Sequence, residues 1–165
     1  MTFRLTDAGW VEDERLQPPG IAEADAFSQA MDFEQTTLIT SSPGADDAGN
    51  GAGELHWFER DLYDGWEWRM DYRPDDLQPF DRFGAAIAVE GNELVVSSSR
   101  SDDLGTDTGS IYLLQRTPAG FVVQDKFFSP EPFDFQEYGG SLDFEGDIVA
   151  VGASFDDQLG PDRGM

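Results

Sequence analysis

Three acidic pairs recur along this chain, each followed by two glycines four residues apart. They are Asp46-Asp47 before Gly49 and Gly53, Asp102-Asp103 before Gly105 and Gly109, and Asp156-Asp157 before Gly160 and Gly164. Carboxylates at this density are the oxygen donors that wrap a divalent cation, and Asp102, Asp103 and Asp107 could converge on one. Turn chemistry accounts for the same spacing: one aspartate accepts backbone N–H bonds and the glycines take left-handed conformations. Because the pattern returns in every copy, the turn reading is preferred and the aspartates rank as weak cation candidates.

His56 is the single histidine of the chain. The repeat puts Tyr112 and Phe3 at its corresponding positions, so it reads as one more ring in a strand. No repeated partner orients it as a general base, and catalysis is not expected of it. Trp57, Phe58, Trp66 and Trp68 near Asp61 and Asp64 could form an aromatic platform for a sugar, but core filling at Trp66 is the preferred account. No carboxylate pair stands out as a hydrolytic acid and base. The absence of cysteine excludes disulfides, thiolate metal sites and thiol nucleophiles.

The elements that must position these residues repeat as well. A leading aromatic stands at Phe27, Phe83 and Tyr138, with spacings of 56 and 55 residues, and Trp10, Trp66 and Phe121 keep the same phase. Within the middle unit, residues 83–89 alternate large and small side chains, Glu90-Gly91-Asn92 has turn composition, and 94–98 is a β-branched run. Strands at 111–115 and 121–127 follow, separated by Thr117-Pro118-Ala119-Gly120. No stretch carries a helical apolar stripe free of Gly and Pro. Four antiparallel strands per unit at this period predict an all-β chain, a segment of a β-propeller built from four-stranded blades. The 165 residues read as one domain, with repeats at about 1–53, 54–109 and 110–164.

The string from Arg82 to Arg116 resembles the FG-GAP repeat, the unit of integrin α-subunit propellers and of many bacterial surface proteins. Phe83-Gly84 matches the FG element and Gly152-Ala153-Ser154 the GAP element; Phe27-Ser28 and Tyr138-Gly139 stand in for FG elsewhere, keeping small residues small. The resemblance implies a scaffold or binding module of an exported or cell-surface protein, non-enzymatic, displaying loops to a protein or carbohydrate ligand. A propeller enzyme with its catalytic residues outside this segment and a purely structural spacer are the alternatives. The resemblance also raises calcium in the loop between the first two strands of a blade. Here that place holds only Glu90-Gly91-Asn92, Glu145-Gly146-Asp147 and residues 33–37, turns too short to enclose an ion, so no cofactor is expected. Apart from any ligand, Gly84 and Gly139 read as points where backbone approaches backbone, with Phe27, Phe83 and Tyr138 filling the layer between blades.

The formal charge of −24, from 34 acidic against 10 basic residues, argues against nucleic acid and anionic membranes as partners. Lys126 is the single lysine. So acidic and lysine-poor a surface fits a salty habitat or an acidic extracellular protein at ordinary salt. No apolar run has the length of a membrane span or a signal-peptide core, so an export signal is expected upstream.

Read in order, the strands open with the third and fourth of a blade (2–5, 10–16), run through two whole blades, and close with the first and second of another (138–144, 148–152). Three blades are too few to close a ring of the usual four to eight. The open ends are expected to meet either the remaining blades of a longer chain or a second copy of this one, in a six-bladed ring.

Overall fold

The computed structural model describes residues 1–61 and 63–156. Asp157, Gly160 and Gly164 lie outside the described residues. Among those described there is no helix, and the strands form four antiparallel sheets. The first is the hairpin of β1 (Phe3–Thr6) and β2 (Gly9–Glu12). A four-stranded sheet follows, in the order β3 (Met31–Glu34), β4 (Thr37–Ser42), β5 (Glu54–Asp61), β6 (Gly65–Tyr72). The second such sheet runs β7 (Phe83–Glu90), β8 (Glu93–Ser98), β9 (Ser110–Thr117), β10 (Gly120–Phe127). The hairpin of β11 (Ser141–Glu145) and β12 (Ile148–Gly152) closes the described chain. The chain is therefore all-β, a propeller segment of two whole blades between two half blades.

Local chemistry explains the repeated geometry. Each blade begins with a two-residue hairpin, closed by the pairs Glu34–Thr37, Glu90–Glu93 and Glu145–Ile148. The first turn residue has positive φ in all three: Gln35 at 54°, Gly91 at 60° and Gly146 at 62°. Thr6 and Thr117 start matching turns, each donating its hydroxyl to the carbonyl of the glycine three residues on, at 2.9 Å. The hairpin register therefore aligns Phe3 with Leu114, not with Tyr112, because Phe3 faces Glu12 as Leu114 faces Val123.

The core lies between blades. Ile39, Leu55 and Trp57 of the first blade pack against Phe83, Leu94, Val96 and Tyr112 of the second. Val95, Ile111 and Tyr138 continue the layer to the last hairpin, which contributes Leu142, Phe144 and Val149. Gly84 and Gly139 sit where β7 and the start of the last half blade cross the preceding blade. At φ of 89° and 93°, a β-carbon on either would come within 2.6 Å of Ser41 Cβ and Ser97 Cβ respectively. Gly53 and Gly109 leave room for the backbone of Phe83 and Tyr138 in the same way.

The expected inter-blade aromatics divide. Phe83 is fully buried, Tyr138 and Phe121 nearly so, and Ala153 is buried, whereas Phe27 and Trp66 are half-buried and Trp10 is 71% exposed. Trp10 matches Phe121, which packs edge-on to Trp57 of the preceding blade at 5.6 Å. Among the described residues no blade packs on the first hairpin as the first whole blade packs on Phe121, and Trp10 stays exposed.

Candidate functional site

The acidic loops share one end of the blades with the linkers that join one blade to the next. The linker before β7 follows the first loop, with N–H groups of Phe80, Arg82 and Phe83 donating to carbonyls of Asn50, Gly51 and Ala52 at 2.8, 3.2 and 2.8 Å. The next linker repeats this: Phe135, Glu137 and Tyr138 donate to Thr106, Asp107 and Thr108 at 2.7, 3.0 and 3.1 Å. Phe80 and Phe135 are each 60% exposed and hold positive φ, 73° and 66°. Aromatic side chains in that region are uncommon, and these two are held there by the neighbouring loop.

The aspartates of the loops act as turn residues. Asp46 Oδ1 accepts the Gly51 N–H and Asp102 Oδ1 accepts the Asp107 N–H, at 2.8 and 2.7 Å. Asp103 does not converge with them. It accepts from the Ser101 hydroxyl and pairs with Lys126 at 2.8 Å. Burial opposes ionisation of Asp103, but bonds from Lys126 and Ser101 outweigh it and hold its carboxyl below the usual range. Lys126 also pairs with Asp76 of the linker and lies 4.6 Å from the Tyr112 ring, so the lone lysine ties loop, linker and blade together. Asp47 stays exposed, 3.9 Å from Arg73. Asp156 departs from the expected phase: its N–H bonds Ala153 as Ala45 bonds Ser42 and Ser101 bonds Ser98, which aligns it one residue earlier in the loop. It is buried and accepts from the Gln136 amide at 2.7 Å, so it is not an exposed cation ligand.

One cluster was not visible in the sequence. His56 Nδ1 lies 2.7 Å from Asp71 Oδ1 and 3.8 Å from Glu54 Oε1, and its Nε2 lies 2.7 Å from Ser42 Oγ. His56 thus has an orienting partner that does not recur, since Lys126 stands opposite Tyr112 where Asp71 stands opposite His56. Nδ1–H donates to the carboxylate of Asp71, leaving Nε2 to accept from the Ser42 hydroxyl, as in a serine–histidine–carboxylate relay. Ser42 and His56 are both fully buried, and Phe27 packs edge-on to the imidazole at 5.4 Å, so no substrate reaches the hydroxyl in this structure. Burial lowers the His56 pKa against the pull of Asp71. Burial and the nearby Asp71 raise Glu54 to about 7, partly offset by Arg73, which bonds its carboxylate. Glu54, His56 and Asp71 have the donor types of a metal site, but each already has a protein partner.

The aromatic platform, the less favoured of the two readings, does not assemble. Trp57 and Phe58 are core residues, and Trp68, 40% exposed, bonds Asp71 through its indole N–H at 2.9 Å.

A search of curated proteins finds no match to the chain. The FG-GAP repeat family matches residues 70–114, from the end of β6 into β9, a span that contains the Phe83-Gly84 crossing and the second acidic loop. The same crossing, loop bonds and hairpins recur in the flanking units, so residues 70–114 are similar to an FG-GAP repeat and the units on either side share its geometry.

Proposed function

We propose that this chain is a non-enzymatic display module of an exported or cell-surface protein, presenting its loop end to a protein or carbohydrate ligand. The observation that carries the reading is the repeated loop and linker pair, which holds exposed Phe80 and Phe135 in left-handed backbone beside exposed Asp46, Asp47 and Asp102. Exposed aromatics fixed by backbone bonds lose little entropy on binding, and flanking carboxylates favour a cationic rim on the partner. A basic protein surface suits the charge of −24, and the phenyl faces favour a saccharide as the second reading. Nucleic acid and anionic membranes are disfavoured by the same charge. The burial of Ser42 and His56 supports a non-catalytic role for the relay as a cross-link between strands two, three and four of its blade. The lysine-poor acidic surface supports a salty source.

The test is binding of the purified chain to arrays of neutral and acidic glycans and of Arg/Lys-rich peptides. At least one class should bind, and Phe80→Ala with Phe135→Ala should abolish that binding at unchanged melting temperature. Absence of binding across both arrays, or binding indifferent to both substitutions, overturns the proposal.

A further inference from the structure

The two junctions inside the chain state a rule for how one blade receives the next, and the two open ends satisfy that rule toward each other. Among the described residues, β12 holds the place of a second strand with no third paired to it, and β1 that of a third strand with no second. In the complete blades these strands pair, Leu38 with Phe58 and Leu94 with Leu114. Val149 holds the place of Leu94, since Glu145–Ile148 closes its hairpin as Glu90–Glu93 does, and Phe3 holds the place of Leu114. The two edges thus have a defined register: Val149 opposite Phe3, and Ile148 opposite Arg4.

Side-chain size agrees at the crossing. At both internal junctions a glycine (84, 139) meets a serine (41, 97) of the preceding blade. The first whole blade instead carries Ser28, at φ 67°, where the others have glycine. The last hairpin carries Gly152 where the others have Ser41 and Ser97. Ser28 meeting Gly152 keeps one side-chain carbon in the crossing, with the two sides exchanged. The polar contact agrees as well: Glu34 accepts the N–H of Gly91 and Glu90 that of Gly146, leaving Glu145 to accept that of Gln35, which shares their left-handed φ. The groove that would receive the hairpin is about 440 Å³, lined by Phe3, Trp10, Phe27, Met31 and Phe33. Met31 and Phe33 are each 54% exposed, although their counterpart Ile87 is buried and Val89 is partly so.

We propose that a second copy of this chain docks its β11–β12 hairpin into this groove, pairing β12 with β1, and that the reciprocal contact closes a two-fold ring of six blades. This is independent of what the loops bind. The chain has no cysteine, so introduced thiols report alone. With Phe3→Cys and Val149→Cys in one chain, mild oxidation should convert most of the protein to a covalent dimer of twice 18.2 kDa. Leu5→Cys with Val149→Cys, two residues out of register, should cross-link at least about fivefold less, since diagonal pairs stand roughly 7–8 Å apart. If the Phe3 variant misfolds, Arg4→Cys with Ile148→Cys, both at exposed positions, carries the same expectation. Matched thiols that react with a maleimide yet give only monomer overturn the proposal, as does equal cross-linking in matched and mismatched registers.

Discussion

The first whole blade has a covered face and an open one. Toward the second blade it contributes Ile39 and Leu55, both fully buried, and Trp57, nearly so. Its opposite face presents Met31 and Phe33 more than half exposed and Phe27 and Trp66 half-buried. Both faces are apolar and come from the strands of one sheet, so the difference is one of neighbours rather than of polarity. A repeat blade encodes two apolar faces, and what stands beside each decides whether it becomes core.

The largest expected effect contrasts the two leading aromatics. Phe83→Ala should cost about 3–5 kcal/mol in denaturant unfolding, the usual price of a buried ring, whereas Phe27→Ala should cost roughly 1 kcal/mol in dilute, monomeric chain. A Phe27→Ala cost that climbs toward that of Phe83→Ala with protein concentration would place a neighbour on the open face; equal costs at high dilution would break the comparison. Next comes the crossing. Gly84→Ala puts a β-carbon against Ser41 at a φ of 89° and should destabilise by about 1–3 kcal/mol, while Ser28→Gly relieves a strained φ and should be neutral or stabilising by under about 1 kcal/mol in the monomer.

The pH dependence sharpens the contrast within the first blade. Glu54, raised from 4.5 to about 7, binds its proton more tightly in the fold than in the unfolded chain. Its contribution therefore falls as pH rises from about 4.5 to 7, and Asp81, raised to about 6, acts in the same direction from 3.8 upward. His56, lowered from 6.5, opposes them, adding stability as pH rises toward 6.5. Glu54→Gln should flatten the decline and raise stability at pH 8 by the order of 1–2 kcal/mol; a variant less stable than the parent at pH 8 contradicts this sign. The smallest effect is that of salt. Potassium chloride from low to molar concentration should raise the melting temperature by screening the carboxylates, and a flat or falling curve removes the argument for a salt-adapted surface.

Much of the scaffold was legible because close crossings demand particular residues. Gly84 and Gly139 stand where β-carbons do not fit, and Thr117-Pro118-Ala119-Gly120 reads as a turn, whereas the matching turn at Thr6 does not stand out and Phe3 is therefore misaligned with Tyr112. The acidic loops were legible as turns, since Asp46 and Asp102 accept backbone N–H groups. The relay was not. The hairpin closing at Asp61–Gly65 would set His56 opposite Met70, and a one-residue bulge after Trp57 shifts it to Asp71. Nothing in the sequence marks that bulge. Asp156 is misaligned because the acidic pair slides by one residue in the third copy: Asp102 to Asp156 is 54 residues against 55 from Phe83 to Tyr138, and the Ala153 bond fixes the phase. Trp10 shares its repeat position with Phe121, yet phase alone does not tell burial: Phe121 is 8% exposed and Trp10 71%.

The central claim, that the open face follows the same junction rule as the covered one, is tested most directly by light scattering on the purified 165-residue chain. The account predicts a discrete species at twice 18.2 kDa that dissociates only on dilution or unfolding. A stable, cooperatively folding monomer at high concentration, or an open-ended series of larger polymers, would contradict it.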